Sequence, residues 1–157
     1  MEFIIRSAED SEFESILKLM QDFAQQDGID PTSVNFNESS FLRYGFGPER
    51  CFCCDLGLVD GKVISYTMYS IRYSGITGTP ILYLEDIYIS SQYRNLGLGK
   101  SLMDHTIKVA ESRNCARMEW VVDADNISAK EFYKHIGAHP MEELKTFRLQ
   151  VNPNENS

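Results

Sequence analysis

Hydrophobic residues in the first half of the chain follow helical spacing in some stretches and strand spacing in others. Apolar residues recur at steps of three and four from Phe13 to Ala24, which predicts an amphipathic helix that ends at Asp27-Gly28. The other elements predicted here are strands at residues 2–6, 51–59 and 62–70, a short helix at residues 37–44, and a hairpin turn at Asp60-Gly61 between the last two strands.

In the second half, an apolar strand at residues 81–89 leads through a glycine-rich turn into another amphipathic helix. That helix is predicted to reach about Arg113, because apolar residues repeat at helical spacing from Leu98 to Ala110. The remaining elements are a strand at residues 117–122, a helix that begins with Asn126 as cap or with the Ser128-x-x-Glu131 capping box and ends at Gly137, and a strand at residues 145–151.

The order of these elements, β-α-α-β-β-β-α-β-α-β, predicts an α/β (α+β) fold with a mixed central sheet and helices on both faces. No repeat, linker or composition break interrupts it. Residues 1–151 are therefore predicted to form a single domain, and residues 152–157 a polar, disordered tail. Ligands of such sheets bind where neighbouring strands separate at their carboxyl ends, so the strands that end at Ile89 and near Val122 are predicted to border a site.

The turn between the central strand and its helix carries an Arg-x-x-Gly-x-Gly element, Arg94-Asn95-Leu96-Gly97-Leu98-Gly99-Lys100. Such a turn leaves the first backbone N–H groups of the helix uncovered, and together with the positive end of the helix dipole they predict a phosphate site. The spacing is neither Gly-x-Gly-x-x-Gly nor Gly-x-x-x-x-Gly-Lys-Ser/Thr, which argues against dinucleotide and P-loop nucleotide sites. Taken alone, these residues also fit an ordinary strand–turn–helix connection.

A formal net charge of −8 bears on the partners of the chain. Nucleic-acid binders are normally basic, so that class is disfavoured. An acidic surface attracts small cations such as amines, although solubility alone also accounts for the charge. No stretch approaches the length of a membrane span, and residues 1–6 lack the basic segment of a secretory signal. A cytoplasmic protein with no nucleic-acid and no membrane partner is therefore predicted.

The cysteines and histidines give no metal-binding pattern. Cys51, Cys53 and Cys54 lie too close together, and neither Cys115 nor any of the three histidines completes a ligand set. We predict reduced, structural thiols and no metal.

Together with the glycine-rich turn, further motifs occur along nearly the whole chain. They are the hairpin at Asp60-Gly61, the strand Tyr83-Leu84-Glu85-Asp86-Ile87-Tyr88-Ile89, and Asn126-x6-Tyr133 with Phe132-Tyr133-Lys134-His135-Ile136-Gly137-Ala138. With the glycine-rich turn they resemble the GCN5-related N-acetyltransferase (GNAT) superfamily. Tyr-Leu-Glu-Asp, Tyr93-Arg94, Gly45-Phe46-Gly47 and Phe-Tyr-Lys-x-x-Gly-Ala most resemble the diamine (spermidine/spermine) acetyltransferases, a branch that includes relatives acting on thialysine.

The resemblance implies a GNAT fold of about six to seven strands, splayed at the acetyl-CoA site, with acetyl-CoA as co-substrate and no metal. It assigns to the cofactor the backbone of Ile87, Tyr88 and Ile89, the turn residues Arg94, Asn95, Leu96, Gly97, Leu98, Gly99 and Lys100, and the late-helix residues Asn126, Ser128, Ala129 and Tyr133.

The resemblance also implies catalytic roles, which acetyl transfer to an amine makes chemically reasonable. An ammonium has no lone pair, so a base must remove a proton, and Glu85 is the candidate, directly or through water. Tyr133 matches the general acid that protonates the departing thiolate, and a backbone N–H of Ile87 is the predicted oxyanion donor. Strand alternation places Glu85 and Asp86 on opposite faces, so at most one of them faces the cleft; Glu85 is favoured.

The predicted substrate is a primary amine of a small molecule, a diamine, polyamine or lysine analogue, held by Asp27, Glu85 and Asp86. The diamine enzymes carry Asp-Pro-Trp before the central strand, where this chain has Ser74-Gly75-Ile76, and a late Trp is replaced by Phe147. Both differences favour a shorter amine than a long polyamine. The branch also implies a homodimer. Two alternatives stay open: a protein or peptide N-acetyltransferase, and a non-catalytic CoA-binding sensor domain.

Overall fold

The structure is a computed structural model, and it describes residues 1–153. The strands are β1 (Phe3–Ser7), β2 (Cys53–Val59), β3 (Lys62–Ser74), β4 (Thr79–Ile89) and β5 (Met118–Glu119), and the helices are α1 (Phe13–Gln26), α2 (Glu38–Gly45), α3 (Leu98–Ser112) and α4 (Ile127–His135). The chain divides into two compact units, Met1–Val121 and Val122–Ser157. The single domain over residues 1–151 stays a prediction, and the predicted tail lies mostly outside the described residues.

The first unit is built on one mixed sheet in the order β1-β2-β3-β4-β5. The first four strands are antiparallel neighbours, and β5 runs parallel to β4. The predicted hairpin at Asp60-Gly61 joins β2 to β3, and both residues have the positive φ angles, 48° and 82°, that such a turn requires. The mixed α/β architecture predicted from the element order is therefore confirmed.

The prediction of about six to seven strands was too high, since the described residues contain five. The strand predicted at residues 117–122 shortens to Met118–Glu119. The strand predicted at residues 145–151 does not form. Its apolar side chains, Phe147, Leu149 and Val151, are 95%, 87% and 76% exposed. Alternating hydrophobicity gives a segment the propensity for a strand, but a strand also needs a neighbour with which to pair.

Helices cover both faces of the sheet, as predicted. On one face Ile16 and Leu19 of α1 and Phe41 of α2 share a core cluster with strand residues such as Leu56 and Tyr66. On the other face Leu98 of α3 packs with Val59 and Ile64, beside partly buried Phe3 and Ile89. Successive strand residues point to opposite faces, which explains why the apolar strand residues divide between α1 and α3.

Two irregularities of β4 shape the region where the site was predicted. Met68 of β3 pairs with Asp86, but the next residue, Tyr69, pairs with Leu84, so Glu85 is the extra residue of a β-bulge. On its other side β4 pairs with β5 only at Leu82–Met118 and Tyr83–Glu119. From residue 84 to residue 89, β4 therefore has no strand partner on that side among the described residues of the first unit.

Candidate active site

The unpaired edge of β4 presents backbone groups of two of the predicted cofactor residues. The Ser90 N–H donates to the Ile64 carbonyl oxygen at 2.9 Å, so the backbone groups of Ser90 face β3. By alternation, those of Ile89 and Ile87 face the unpaired edge, whereas those of Tyr88 face β3. The carbonyl oxygen of Ile89 accepts a hydrogen bond of 3.1 Å there from Nε of Arg94.

The edge leads directly into the glycine-rich turn, whose backbone has the conformation that glycine favours. Asn95 and Gly97 lie in the left-handed region with φ of 61° and 76°. Gly97 is the N-cap residue of α3 and offers no side-chain cap. Within the described part of the chain, the N–H groups of Leu98, Gly99 and Lys100 donate to no acceptor.

The surroundings of this helix end leave room for an anion. A Cβ atom built on Gly97 would meet nothing within 4 Å, and one built on Gly99 would meet only Cδ1 of Ile89, at 3.6 Å. Nζ of Lys100 adds a positive charge on the first turn, 2.6 Å from Oδ2 of Asp104. Free N–H groups, the positive end of a helix dipole and open space are what a phosphate requires, so the turn can hold a phosphate group. Leu96 is half exposed in the turn, and Leu98 is buried beneath it.

Arg94 is held beside this turn by a residue that the sequence did not mark. The Nη2 group of Arg94 donates to Oε1 of Gln26 at 2.5 Å. Nε2 of Gln26 in turn donates to the hydroxyl oxygen of Tyr88 at 2.8 Å, and the Arg94 guanidinium lies 5.4 Å from the centre of the Tyr88 ring. Gln26 is the last residue of α1 and follows Phe23 by three residues, so the two side chains lie on the same side of the helix. The ring centres of Phe23 and Tyr88 are 5.3 Å apart. The sequence signal that could have marked Gln26 is its place as a polar residue at the end of the apolar stripe of α1.

The two adjacent carboxylates of β4 have different environments. Glu85 is exposed at the bulge, whereas Asp86 is half-buried. Burial, and secondly the charge of Glu85, raise the pKa of Asp86 to about 6. The pKa of the buried Tyr66 phenol is also raised, first by burial and secondly by the charge of Asp86. The site therefore contains one carboxylate in water and one in a less polar environment.

Asp27, the third predicted acidic residue, directly follows α1. Its backbone N–H donates to the Phe23 carbonyl oxygen at 3.1 Å and completes the last helical turn, and its side chain is exposed. The next residue, Gly28, has a φ of 73° and ends the helix, as the sequence predicted. Asp27 is thus the immediate neighbour of Gln26, the residue that holds Arg94.

The second unit contains the other predicted site residues. Oδ1 of Asn126 accepts hydrogen bonds from the N–H of Ala129 at 3.2 Å and from the hydroxyl of Ser128 at 3.3 Å. Asn126 is therefore the cap of α4, which decides between the two predicted helix starts. The ring of Tyr133 lies edge-on to that of Phe132, 5.5 Å between centres, and burial raises the pKa of the Tyr133 phenol.

Within residues 1–153, no three or more His, Cys, Asp or Glu side chains are grouped as they would be around a metal ion. The same part of the chain contains no helix whose length and apolar character suit a membrane crossing.

Comparisons with known proteins identify the family of the chain. The profile of the "Acetyltransferase (GNAT) family" matches residues 13–138. The chain therefore belongs to the GNAT family of acetyltransferases, whose co-substrate is acetyl-CoA, and the resemblance read from the motifs is confirmed.

Individual relatives add detail. The chain is 29% identical over 150 residues to a thialysine N-epsilon-acetyltransferase of Bos taurus, which covers 90% of this chain and 87% of the relative. It is also 29% identical over 143 residues to the human spermidine/spermine N(1)-acetyltransferase-like protein 1, but that match covers 20% of the longer protein. A possible acetyltransferase of Clostridium difficile has the same fold, with a TM-score of 0.81 at 20% identity over 98% of this chain and all of that one.

Proposed function

We propose that this protein transfers the acetyl group of acetyl-CoA to a primary amine of a small molecule, a diamine, polyamine or lysine analogue such as thialysine. The observation that carries the proposal is the unpaired edge of β4, which leads into the uncovered N-terminus of α3. The names of the relatives, thialysine and spermidine/spermine acetyltransferases, support an amine acceptor. A net charge of −8 favours a cationic one.

The residues of the first unit that would hold acetyl-CoA are of two kinds. The backbone groups of Ile87 and the N–H of Ile89 face the unpaired edge and can pair with amide groups of the pantetheine arm, whereas the Ile89 carbonyl oxygen already accepts a hydrogen bond from Arg94. The turn from Arg94 to Lys100 supplies N–H groups and positive charge for the pyrophosphate. In the second unit, the start of α4, with Asn126, Ser128 and Ala129, is the proposed third contact. Acetyl-CoA would supply the thioester from which the acetyl group is transferred.

In the proposed reaction the neutral amine attacks the thioester carbonyl carbon, a C–N bond forms and the C–S bond breaks. The ammonium form of the amine loses its proton to Glu85, directly or through water, which is compatible with the exposure of this carboxylate at the bulge. The N–H of Ile87 is the proposed donor to the carbonyl oxygen as charge develops on it. Tyr133 gives its proton to the departing thiolate, and the proton that the nitrogen loses as the amide forms restores the phenol. Burial raises the pKa of this phenol, so Tyr133 is protonated before the thiolate leaves.

We propose that Asp27 and Asp86 contribute to binding the amine through their charge. Asp86, half-buried in β4, would interact more strongly with a cation than the exposed Asp27. The segment Ser74-Gly75-Ile76 lies at the tip of the β3–β4 hairpin, where Ile76 is fully exposed. A Ser-Gly-Ile tip offers neither an acidic nor an aromatic group to a distant second ammonium, so a short amine is the preferred acceptor in this proposal.

The test is release of free CoA thiol from acetyl-CoA against a panel of acceptors: spermidine, putrescine, thialysine, lysine, aromatic monoamines and a short peptide. We expect turnover with small primary amines and a preference for short ones. Turnover with the peptide alone would replace the proposal with protein or peptide N-acetylation. Tight acetyl-CoA binding without turnover of any acceptor would instead favour a non-catalytic CoA sensor.

We further propose a homodimer that works in the cytoplasm. All four cysteines are free thiols, which suits a reducing compartment. Phe147, Leu149 and Val151 are exposed at alternating positions, an arrangement that a neighbouring copy would bury. Sedimentation at micromolar concentration should give a dimer, and Phe147→Ser should weaken it, whereas Ile76→Ser, at an equally exposed apolar position, should not. A monomeric wild-type protein would rule out the dimer.

A further inference from the structure

Gln26 links three parts of the first unit through one side-chain amide. Its Nε2 group donates to the hydroxyl oxygen of Tyr88 at 2.8 Å, and its Oε1 accepts from Nη2 of Arg94 at 2.5 Å. Gln26 belongs to α1, Tyr88 to β4, and Arg94 to the glycine-rich turn. In the chain, Tyr88 lies 62 residues after Gln26 and Arg94 lies 68 residues after it, so the network joins distant segments.

We propose that Gln26 is a positioning residue for the cofactor: a neutral clamp that fixes the Arg94 guanidinium beside the glycine-rich turn and leaves its positive charge available to the CoA pyrophosphate. This inference rests on the proposed function, because it requires that the turn bind acetyl-CoA.

Several contacts fix the position of the Arg94 side chain. A free arginine side chain has many rotamers, and their loss opposes any hydrogen bond that it forms with a ligand. Here the guanidinium is already fixed at three points: Nε on the Ile89 carbonyl oxygen, Nη2 on Gln26, and its face over the Tyr88 ring. Two of these three points, Gln26 and Tyr88, are themselves joined by a hydrogen bond. A guanidinium has five N–H donors, and these contacts leave others for a phosphate.

The contacts of Arg94 also leave its positive charge without a carboxylate partner among the described residues. Every hydrogen-bond acceptor of Arg94 among the described residues is a neutral oxygen, and no carboxylate there forms an ion pair with it. A carboxylate at position 26 would hold the guanidinium equally well but would compete for its charge with an anionic ligand. An amide provides the same acceptor geometry without that competition. The absence of charge on residue 26 is therefore as important to the clamp as its hydrogen bonds.

A neutral clamp and an ordinary structural role predict different orders of acetyl-CoA affinity for variants of Gln26. Gln26→Ala removes both hydrogen bonds and frees Arg94 to move. Gln26→Glu keeps an acceptor for Arg94, and the Tyr88 hydroxyl becomes the donor in their mutual hydrogen bond. If Gln26 only stabilised the fold, Gln26→Glu would weaken acetyl-CoA binding less than Gln26→Ala does. If it is a neutral clamp, the Glu variant binds acetyl-CoA at least as poorly as the Ala variant.

The experiment is titration calorimetry of acetyl-CoA with the wild type, Gln26→Ala, Gln26→Glu and the control Gln21→Ala. Gln21 lies on the same helix, and its side chain has no hydrogen-bond partner among the described residues. We expect Kd to rise about tenfold in the Ala variant, the scale of a hydrogen bond to a charged group, and at least as much in the Glu variant. The affinity of the Glu variant should also depend less on ionic strength. Kd of Gln21→Ala should match the wild type.

A second measurement on the free proteins follows Arg94 directly. Relaxation of the Arg94 Nε–H group by ¹⁵N NMR should report greater mobility in Gln26→Ala and unchanged order in Gln26→Glu. A Glu variant that binds acetyl-CoA like the wild type, or an Ala variant indistinguishable from Gln21→Ala, would overturn the clamp while leaving the proposed function intact. A wild type that binds no acetyl-CoA would overturn the proposed function, and the clamp with it.

Discussion

Nε2 of His105 lies 2.9 Å from Oδ2 of Asp55, and this contact joins helix α3 to strand β2. The Asp55 carboxylate is buried and also accepts hydrogen bonds from the hydroxyl groups of Ser7, at 3.1 Å, and Tyr69, at 3.3 Å. Burial and the nearby Asp55 charge raise the pKa of the Tyr69 phenol, so Tyr69 stays a donor. Three donors on three elements thus satisfy one buried carboxylate.

The first prediction concerns this contact. His105→Leu should lower the free energy of unfolding by about 1–3 kcal/mol, because it removes a hydrogen bond from a buried carboxylate. The measurement is urea denaturation, with His135→Leu on α4 as the control for loss of a histidine from a helix. Equal stability of wild type and His105→Leu would show that Ser7 and Tyr69 suffice for Asp55.

The second prediction is a pH dependence that arises from Asp86. The pKa of Asp86 is about 6 in the folded chain, above the ordinary value of 3.8, so the folded state holds more protons than the unfolded state between these values. The contribution of Asp86 to stability therefore falls as pH rises from about 4 to about 6, by on the order of 3 kcal/mol.

Asp86→Asn should remove this dependence. Unfolding by urea at pH 4 and pH 7 should show the Asn variant gaining stability relative to the wild type at the higher pH. Glu85→Gln, which removes the charge that adds to the rise in the pKa of Asp86, should give a smaller change in the same direction. A difference between wild type and Asp86→Asn that is the same at both pH values would contradict the raised pKa.

The third prediction tests the general acid. Tyr133→Phe should lower kcat by about 10²-fold or more, because the thiolate then leaves without a proton. Kd for acetyl-CoA should change little, since the ring remains. Tyr73→Phe, at an exposed tyrosine of β3, is the matched control. Full turnover by the Tyr133→Phe variant would exclude the proposed role, and a loss of cofactor affinity alone would assign Tyr133 to binding.

The fourth prediction concerns the turn. Gly97→Ala should lower the free energy of unfolding by about 1 kcal/mol, because an L-residue at a φ of 76° is strained. Gly75→Ala is the control, since Gly75 has no atom within 4 Å of its built Cβ and no positive φ. Thermal unfolding measures both. We also expect Gly97→Ala to bind acetyl-CoA more weakly; equal affinity would place the pyrophosphate elsewhere.

Much of the fold was predictable because local patterns determine it. The helical stripe of α1, the hairpin at Asp60-Gly61 and the turn before α3 each have a physical cause within a few residues. The bulge at Glu85 does not. Simple alternation predicted that Glu85 and Asp86 occupy opposite faces of a regular strand, but the extra residue interrupts alternation at that point, and nothing in the local sequence marks it.

Contacts between distant segments explain the other differences. The hydrogen bonds of Gln26 depend on β4 and on the turn, which no local pattern specifies. The segment at residues 145–151 has the alternation of a strand, but strand formation depends on a neighbour that its own sequence does not supply. The roles of Glu85, Tyr133 and the cofactor residues stay predictions, to be tested by the experiments above.

The unpaired edge of β4 has a further consequence, for handling the protein. Exposed strand edges invite pairing with other chains, and they exchange their amide hydrogens quickly. We expect the amides of Ile87 and Ile89 to exchange rapidly in the free protein and slowly with CoA bound. Purified protein kept without CoA should aggregate sooner than protein stored with it, because the ligand would then protect the edge as a neighbouring strand does elsewhere in the sheet.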